Sequence, residues 1–387
     1  MSLGTYTALP VLARELMAHH RGDRAARLFR LARRRVHARL RRDVPTMRQL
    51  TATRRGIVWR EAPVPALEQP SAALVRPVAV ASCDADHLAA RGEGFPLPLA
   101  LGHECVADVV EVGTDVRAIQ PGERVIVPFQ ISCGHCPACR DGRSASCLGV
   151  PPLSMYGFGI VGGAWGGALA DLMLVPFADH MLVPVPSGID PAAVASVADN
   201  VVDGWRHVAP HLAERPGAAV LVIVEGAPSI ALYAVQAALA LGAGSVHFMS
   251  RDQDLLQHAE RLGAQPVSDR GRRARRRFPI VVDATGTAAG LRDALHCTER
   301  DGHCSSVGPL RASANVRTPT YGMYMHNATL HIGRAHAREG IPEVLDLVRT
   351  GALDPRSVTT MHADWSDAAA AFEEHVARRG TKLVVSR

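Results

Sequence analysis

The chain has 387 residues, 47% of them apolar, enough for two domains with separate cores. No run of about eighteen apolar residues occurs, and no charged segment followed by an apolar one opens the chain, so neither a membrane span nor a secretory leader is expected. Net charge is +6, but residues 1–46 alone hold eleven Arg and three acids for +8, leaving −2 elsewhere; the basic balance belongs to that stretch, and nucleic acid is not an expected partner.

In chain order, residues 1–46 read as a basic N-terminal extension. Leu28, Leu31, Val36 and Leu40 recur at near-helical spacing among arginines. That fits a basic amphipathic helix on an anionic surface, a loosely ordered tail, or a start codon set too early. No apolar segment follows Arg33-Arg34-Arg35, so a twin-arginine export signal is not expected. A single lysine, Lys382, stands against 42 arginines, which reads as codon bias.

Residues 51–80 alternate β-branched and polar positions with prolines between, as in the first strands of a small antiparallel barrel. Gly102-His103-Glu104 follows, then Cys133, Cys136, Cys139 and Cys147 at C-x2-C-x2-C-x7-C. Four thiolates this close in sequence reach one tetrahedral ion, and four cysteines with no open position are the pattern of a structural zinc. Gly134, Pro137 and Gly142 supply the turns between them. An iron–sulfur cluster is the nearer rival, although the common bacterial run ends C-x3-C-P and this one does not. Unrelated buried thiols and disulfides are the remaining readings. A reducing cytoplasm would keep such thiols available.

Residues 218–224 predict a buried strand, 230–241 an apolar helix and 245–249 a second strand, one βαβ unit of a dinucleotide fold. Aligned on the helix, the glycine fingerprint of the phosphate turn becomes Gly226, Pro228 and Ala231. Pro228 removes an N–H and stiffens the turn. Where an NAD enzyme usually places an acid, the chain has Ser250 and Arg251, which suit a 2′-phosphate better, with Asp252 close enough to offset the arginine. Residues 270–277 hold six arginines, read as a solvated loop before a strand at 280–282. Asp283-Ala284-Thr285-Gly286 and Ser305-Ser306-Val307-Gly308 end two more strands, where parallel sheets place ligands. A helix at 341–350 and a closing strand at 381–385 complete the chain, and Cys105, Cys297 and Cys304 read as core or turn thiols.

The Gly102-His103-Glu104 triplet, followed about thirty residues later by the cysteine lobe, resembles the zinc-dependent medium-chain alcohol dehydrogenases from about residue 47 to the C-terminus. The lobe is specific to that family and the triplet alone is not. Residues 155–186 are similar to the formaldehyde dehydrogenase and dismutase branch in particular. The resemblance implies an α/β fold, a Rossmann-type doubly wound parallel sheet plus a GroES-like β-barrel. Residues 47–200, completed by 334–387, would form the catalytic zinc domain and 201–333 the dinucleotide domain. Cys83, His103 and Asp199 match the family's catalytic-zinc ligands, Glu104 the carboxylate beside the metal, and Asp86 an acid that orients the histidine. With the cysteine lobe this gives two Zn2+ per chain. Thr285 and Val307 fall where the family contacts the nicotinamide and ribose.

Two positions depart from the family. Ala85 replaces the Ser or Thr that relays the alcohol proton, and Asp203 replaces a Thr that touches the nicotinamide, as a proton acceptor or a structural acid. The implied function is zinc-dependent hydride transfer between an alcohol or carbonyl substrate and NADP or NAD, with NADP favoured, in a cytoplasmic homo-oligomer, a dimer or tetramer. The alternatives are an aldehyde dismutase with tightly bound NAD, and a non-catalytic zinc-binding scaffold with a basic arm.

Overall fold

The computed structural model describes residues 45–267, 276–308, 316–378 and 380–387. Most of the expected basic extension (residues 1–44) and of the arginine run (residues 270–275) therefore lies outside the described residues. Strand β1 (Thr46–Thr53) pairs antiparallel with β2 (Gly56–Pro63) from Thr46↔Pro63 to Thr53↔Gly56. The expected boundary after residue 46 is thus displaced: Thr46 is already in the sheet, and the Pro45 carbonyl accepts the Val64 N–H at 2.9 Å.

Strands β3 (Ala73–Ala81), β4 (Leu99–Ala100), β5 (Glu104–Val112), β6 (Arg124–Val127), β7 (Met173–Val175) and β8 (Val183–Pro184) follow. β4 lies on the free edge of β1, and β3, β5, β6 and β8 pair antiparallel in that order, with β7 also on β3. Leu50 and Ile57 of the first sheet share one core with Val75, Val80 and Cys105 of the second. The alternation read from residues 51–80 works because every second side chain of a strand faces that core.

The second unit holds β9 (Ala219–Val224), β10 (Ser245–Met249), β11 (Gln265–Pro266), β12 (Phe278–Ala284), β13 (Thr298–Ser306) and β14 (Thr329–Ile332). All neighbours are parallel, in the order β11-β10-β9-β12-β13-β14. This is the doubly wound dinucleotide order, whose direction reverses between its first and fourth strands, here β9 and β12. The sequence of β9, Ala-Val-Leu-Val-Ile-Val, is buried from Val220 to Val224, as strands covered on both faces require.

Two closing strands, β15 (Met361–Asp364) and β16 (Leu383–Ser386), extend the larger sheet to the order β15-β16-β3-β5-β6-β8, with β16 antiparallel to β3 and β15 parallel to β16. The described chain falls into two compact units, residues 45–198 with 336–339 and 360–387, and residues 199–335 with 340–359. The limits expected from the resemblance, 47–200 with 334–387 and 201–333, differ most at 340–359. That segment belongs to the dinucleotide unit: Gln236 Nε2 donates to Ser357 Oγ at 2.8 Å, and the Asp354 N–H donates to Gln236 Oε1 at 3.1 Å. Among the described residues no helix is long and apolar enough to cross a membrane.

Candidate active site and metal centres

The cysteine lobe is local. Cys136 sits at the N-cap of helix α1 (Pro137–Arg140), with Pro137 in the first turn, and its sulfur accepts the Cys139 N–H at 3.5 Å. Gly134 has φ +80°, and a Cβ there would meet the His180 ring at 2.6 Å. All four Sγ atoms lie within 4.8 Å of one another and all four cysteines are buried and free. Backbone N–H groups of Cys133 and Gly149 donate to Cys147 Sγ at 3.3 Å each, and that of Leu148 to Cys136 Sγ at 3.3 Å. Burial opposes ionisation of Cys136, but the donated N–H groups of Leu148 and Cys139 outweigh it and bring the thiol down to about 6. Convergent sulfurs already receiving backbone hydrogen bonds fit a tetrahedral thiolate ion site.

The second group assembles from distant sequence. Cys83 follows β3, and its N–H donates to Asp86 Oδ2 at 2.8 Å. His103 immediately precedes β5 and packs against Phe158 and Phe129, with ring centroids at 4.8 and 5.8 Å. Gly102 (φ +87°) is required before it, because a Cβ would stand 2.9 Å from the Leu169 nitrogen. Asp86 Oδ1 lies 3.8 Å from His103 Nδ1, so the acid expected to orient the histidine stands beside it. Asp199 is at the N-cap position of helix α2 (Asn200–Arg206) but makes no side-chain cap; it is buried, and its Oδ2 accepts from Asn200 Nδ2 at 3.1 Å. Donor atoms of Cys83, His103, Glu104 and Asp199 all lie within 4.8 Å of one another.

Sequence reasoning missed three residues here. Lys382, 0% exposed, donates from Nζ to Glu104 Oε1 at 2.8 Å and stands 2.7 Å from Oε2, and Glu104 is likewise 0% exposed. Asn200 Oδ1 accepts from Ser229 Oγ at 2.7 Å, continuing a line from Asp199. The only signal for Lys382 was its singularity.

Asp203 behaves as a structural acid. Burial opposes its charge, but the Arg206 guanidinium, 2.5 Å away, and His207 overcome this and hold the carboxyl at about 2. Ala85 brings no hydroxyl; its N–H donates to Cys83 Sγ at 3.5 Å.

At the dinucleotide turn, Pro228 is the first residue of helix α3 (Pro228–Ala240), where a missing N–H costs nothing. Pro228 therefore breaks no hydrogen bond within the helix. The N–H groups of Gly226 and Ala227 donate to the Ala284 carbonyl at 3.3 and 3.1 Å, tying the end of β9 to that of β12, and Ala231 is fully buried within α3. Ser250 Oγ accepts the Asp252 N–H at 3.1 Å. Asp252, the acid beside Arg251, caps helix α4 (Gln253–Arg261) through Oδ1, accepting from Asp254 and Leu255. The carboxylate near Arg251 is Glu225, at 3.9 Å, and the Arg251 side chain is 86% exposed. Thr285 is buried and donates to Asp283 Oδ1 at 2.7 Å, and Ser306 donates to Asp283 Oδ2 at 2.8 Å. Val307, half-buried, donates its N–H to the Asp283 carbonyl at 3.0 Å. Asp283, read from the sequence only as part of a strand end, thus binds the ends of β12 and β13 together.

Residues 69–187 match the model of the alcohol dehydrogenase GroES-like domain and residues 229–350 that of the zinc-binding dehydrogenases. A probable zinc-binding alcohol dehydrogenase of Mycobacterium tuberculosis is 32% identical over 83% of each chain. A glutathione-independent formaldehyde dehydrogenase of Pseudomonas aeruginosa is 30% identical over 73% of this chain and 69% of its own. The solved alcohol dehydrogenase of a Thermus species superposes with a TM-score of 0.82 at 29% identity, over 88% of this chain and 99% of its own.

Proposed function

The chain belongs to the zinc-dependent medium-chain alcohol dehydrogenase family, and from that premise we propose a hydride-transferring enzyme whose reaction centre is Cys83, His103 and Asp199 beside Glu104. The observation that carries this reading is the convergence of these four buried donors. Zinc held there would polarise a substrate oxygen as a Lewis acid and favour its deprotonated form near neutral pH. The residues do the positioning. Asp86 fixes the Cys83 backbone and stands beside the His103 ring, and Asn200 holds one oxygen of Asp199. A carboxylate in place of a second thiolate makes the donor set harder. Cys133, Cys136, Cys139 and Cys147 would hold a second, structural ion, giving two per chain.

For the dinucleotide we propose NADP(H), because Ser250 and the exposed Arg251 follow β10 where an acid would repel a 2′-phosphate. Small alcohols or aldehydes are the substrate class, in line with the alcohol and formaldehyde dehydrogenases to which the chain is similar. Free cysteines suit a reducing cytoplasm. A homo-oligomer is also proposed. β14 is an edge strand, and Ile332 on it is exposed, as are Tyr321, Tyr324 and Met325 on helix α5 (Thr320–His326).

Metal analysis and turnover with alcohol and dinucleotide test the reading. The wild type should hold about two zinc ions. His103→Ala should lose turnover and one ion yet keep its fold. Active protein with one zinc or none would overturn the assignment.

A further inference from the structure

We propose a third cation site, in the dinucleotide unit, formed by His211, Glu214 and His303 and suited to a borderline divalent ion such as Zn2+ or Ni2+. A short helix, Ala209–Glu214, lies between α2 and β9 in the chain. His211 and Glu214 are three residues apart on it and share a face. His303 reaches them from β13, with Nε2 3.8 Å from Glu214 Oε2. One donor atom from each of the three lies within 4.8 Å of the others.

One observation beyond the geometry favours a metal over a chance meeting of polar side chains. His211 Nδ1 is buried and has no hydrogen-bond partner among the described residues. The adjacent cation is already engaged: Arg215 donates to the Asp301 carbonyl and lies 3.8 Å from Glu299.

Two imidazoles and one carboxylate leave open coordination positions for water and match Zn2+, Ni2+ or Cu2+ better than Ca2+ or Mg2+, which prefer all-oxygen shells. With no thiolate, this site should be weaker than the cysteine lobe and exchange first with a chelator.

The test titrates Ni2+ by calorimetry into full-length protein that keeps its two tightly held ions and has been dialysed free of exchangeable metal, with wild type, His303→Ala and Glu214→Gln. Wild type should bind one Ni2+ per chain beyond either variant, or bind it about tenfold or more tighter. Should His303→Ala fail to fold, Glu214→Gln decides alone, since that side chain is 65% exposed and its loss leaves the core untouched. Equal stoichiometry and affinity in wild type and Glu214→Gln would overturn the proposal.

Discussion

Replacing Lys382 by Met tests the buried ion pair behind the reaction centre. Nζ lies 2.7 and 2.8 Å from the two Glu104 oxygens, and neither residue is exposed. At 2.7 Å the attraction is about 6 kcal/mol for an effective dielectric constant of ~20. Much of that offsets the cost of taking both charges out of water, so the pair itself adds little net stability. Removing one partner is different, because Glu104 keeps its desolvation cost and loses the ammonium that offsets much of it. Lys382→Met should therefore cost about 3–5 kcal/mol, and Glu104→Gln with Lys382→Met should restore most of it. Chemical denaturation of wild type, both single variants and the double variant measures the coupling. A loss under about 1 kcal/mol in Lys382→Met, or a double variant no more stable than that single, would refute the reasoning.

Because Lys382 is the chain's one lysine and is fully buried, an amine-acylating reagent should label only the terminal amine of native protein and add Lys382 on unfolding, as peptide mass mapping will show. Cys136→Ser should lose one zinc and destabilise the fold, while whatever folds keeps the Cys83 ion, read by metal analysis. Ser250→Asp should shift catalytic efficiency from NADP toward NAD; no change would mean that Ser250 does not lie at the ribose. Asp203 has its carboxyl lowered from 3.8 to about 2 on folding, so its stabilisation is full above about pH 4 and is lost as pH falls toward about 2. Asp203→Asn should remove on the order of 2 kcal/mol at neutral pH and flatten that part of the acid-unfolding profile.

What could be read before folding follows sequence distance. The four cysteines lie within fifteen residues, so their spacing alone shows that four sulfurs can reach one ion. Strand β10 is predicted residue for residue, because a short apolar run between Gly244 and a helix cap has few alternatives. Cys83, His103 and Asp199 are spread across the chain, and only the family resemblance joined them. Lys382 is 278 residues from Glu104, and no local pattern marks it; its rarity was readable, its role was not. An ammonium is compact where a guanidinium is planar and wide, which gives a physical reason for lysine here in a chain that otherwise uses arginine. Thr285 shows the converse. Its place at a strand end is as expected, while the bond of its hydroxyl to Asp283 had no signal in the sequence.

Asp199 shows how local sequence misleads about a carboxylate. An aspartate directly before a helix reads most simply as a cap, because its oxygens would satisfy the first N–H groups. Here the backbone at Asp199, with φ −151° and ψ −83°, turns the side chain away from the helix start. One oxygen receives Asn200 Nδ2, and Asn200 is in turn held by Ser229 at the first turn of α3, the helix that begins after the dinucleotide turn. Within this unit the candidate ligand is therefore tied to the start of the nucleotide-facing helix through two side-chain hydrogen bonds. Each of the three residues is buried, so the cost of leaving any partner unpaired keeps the line intact. Such a chain orients the carboxylate through one of its oxygens, as the partners of metal-ligating side chains commonly do, which fits the ligand role proposed for Asp199 better than the cap its sequence position suggests.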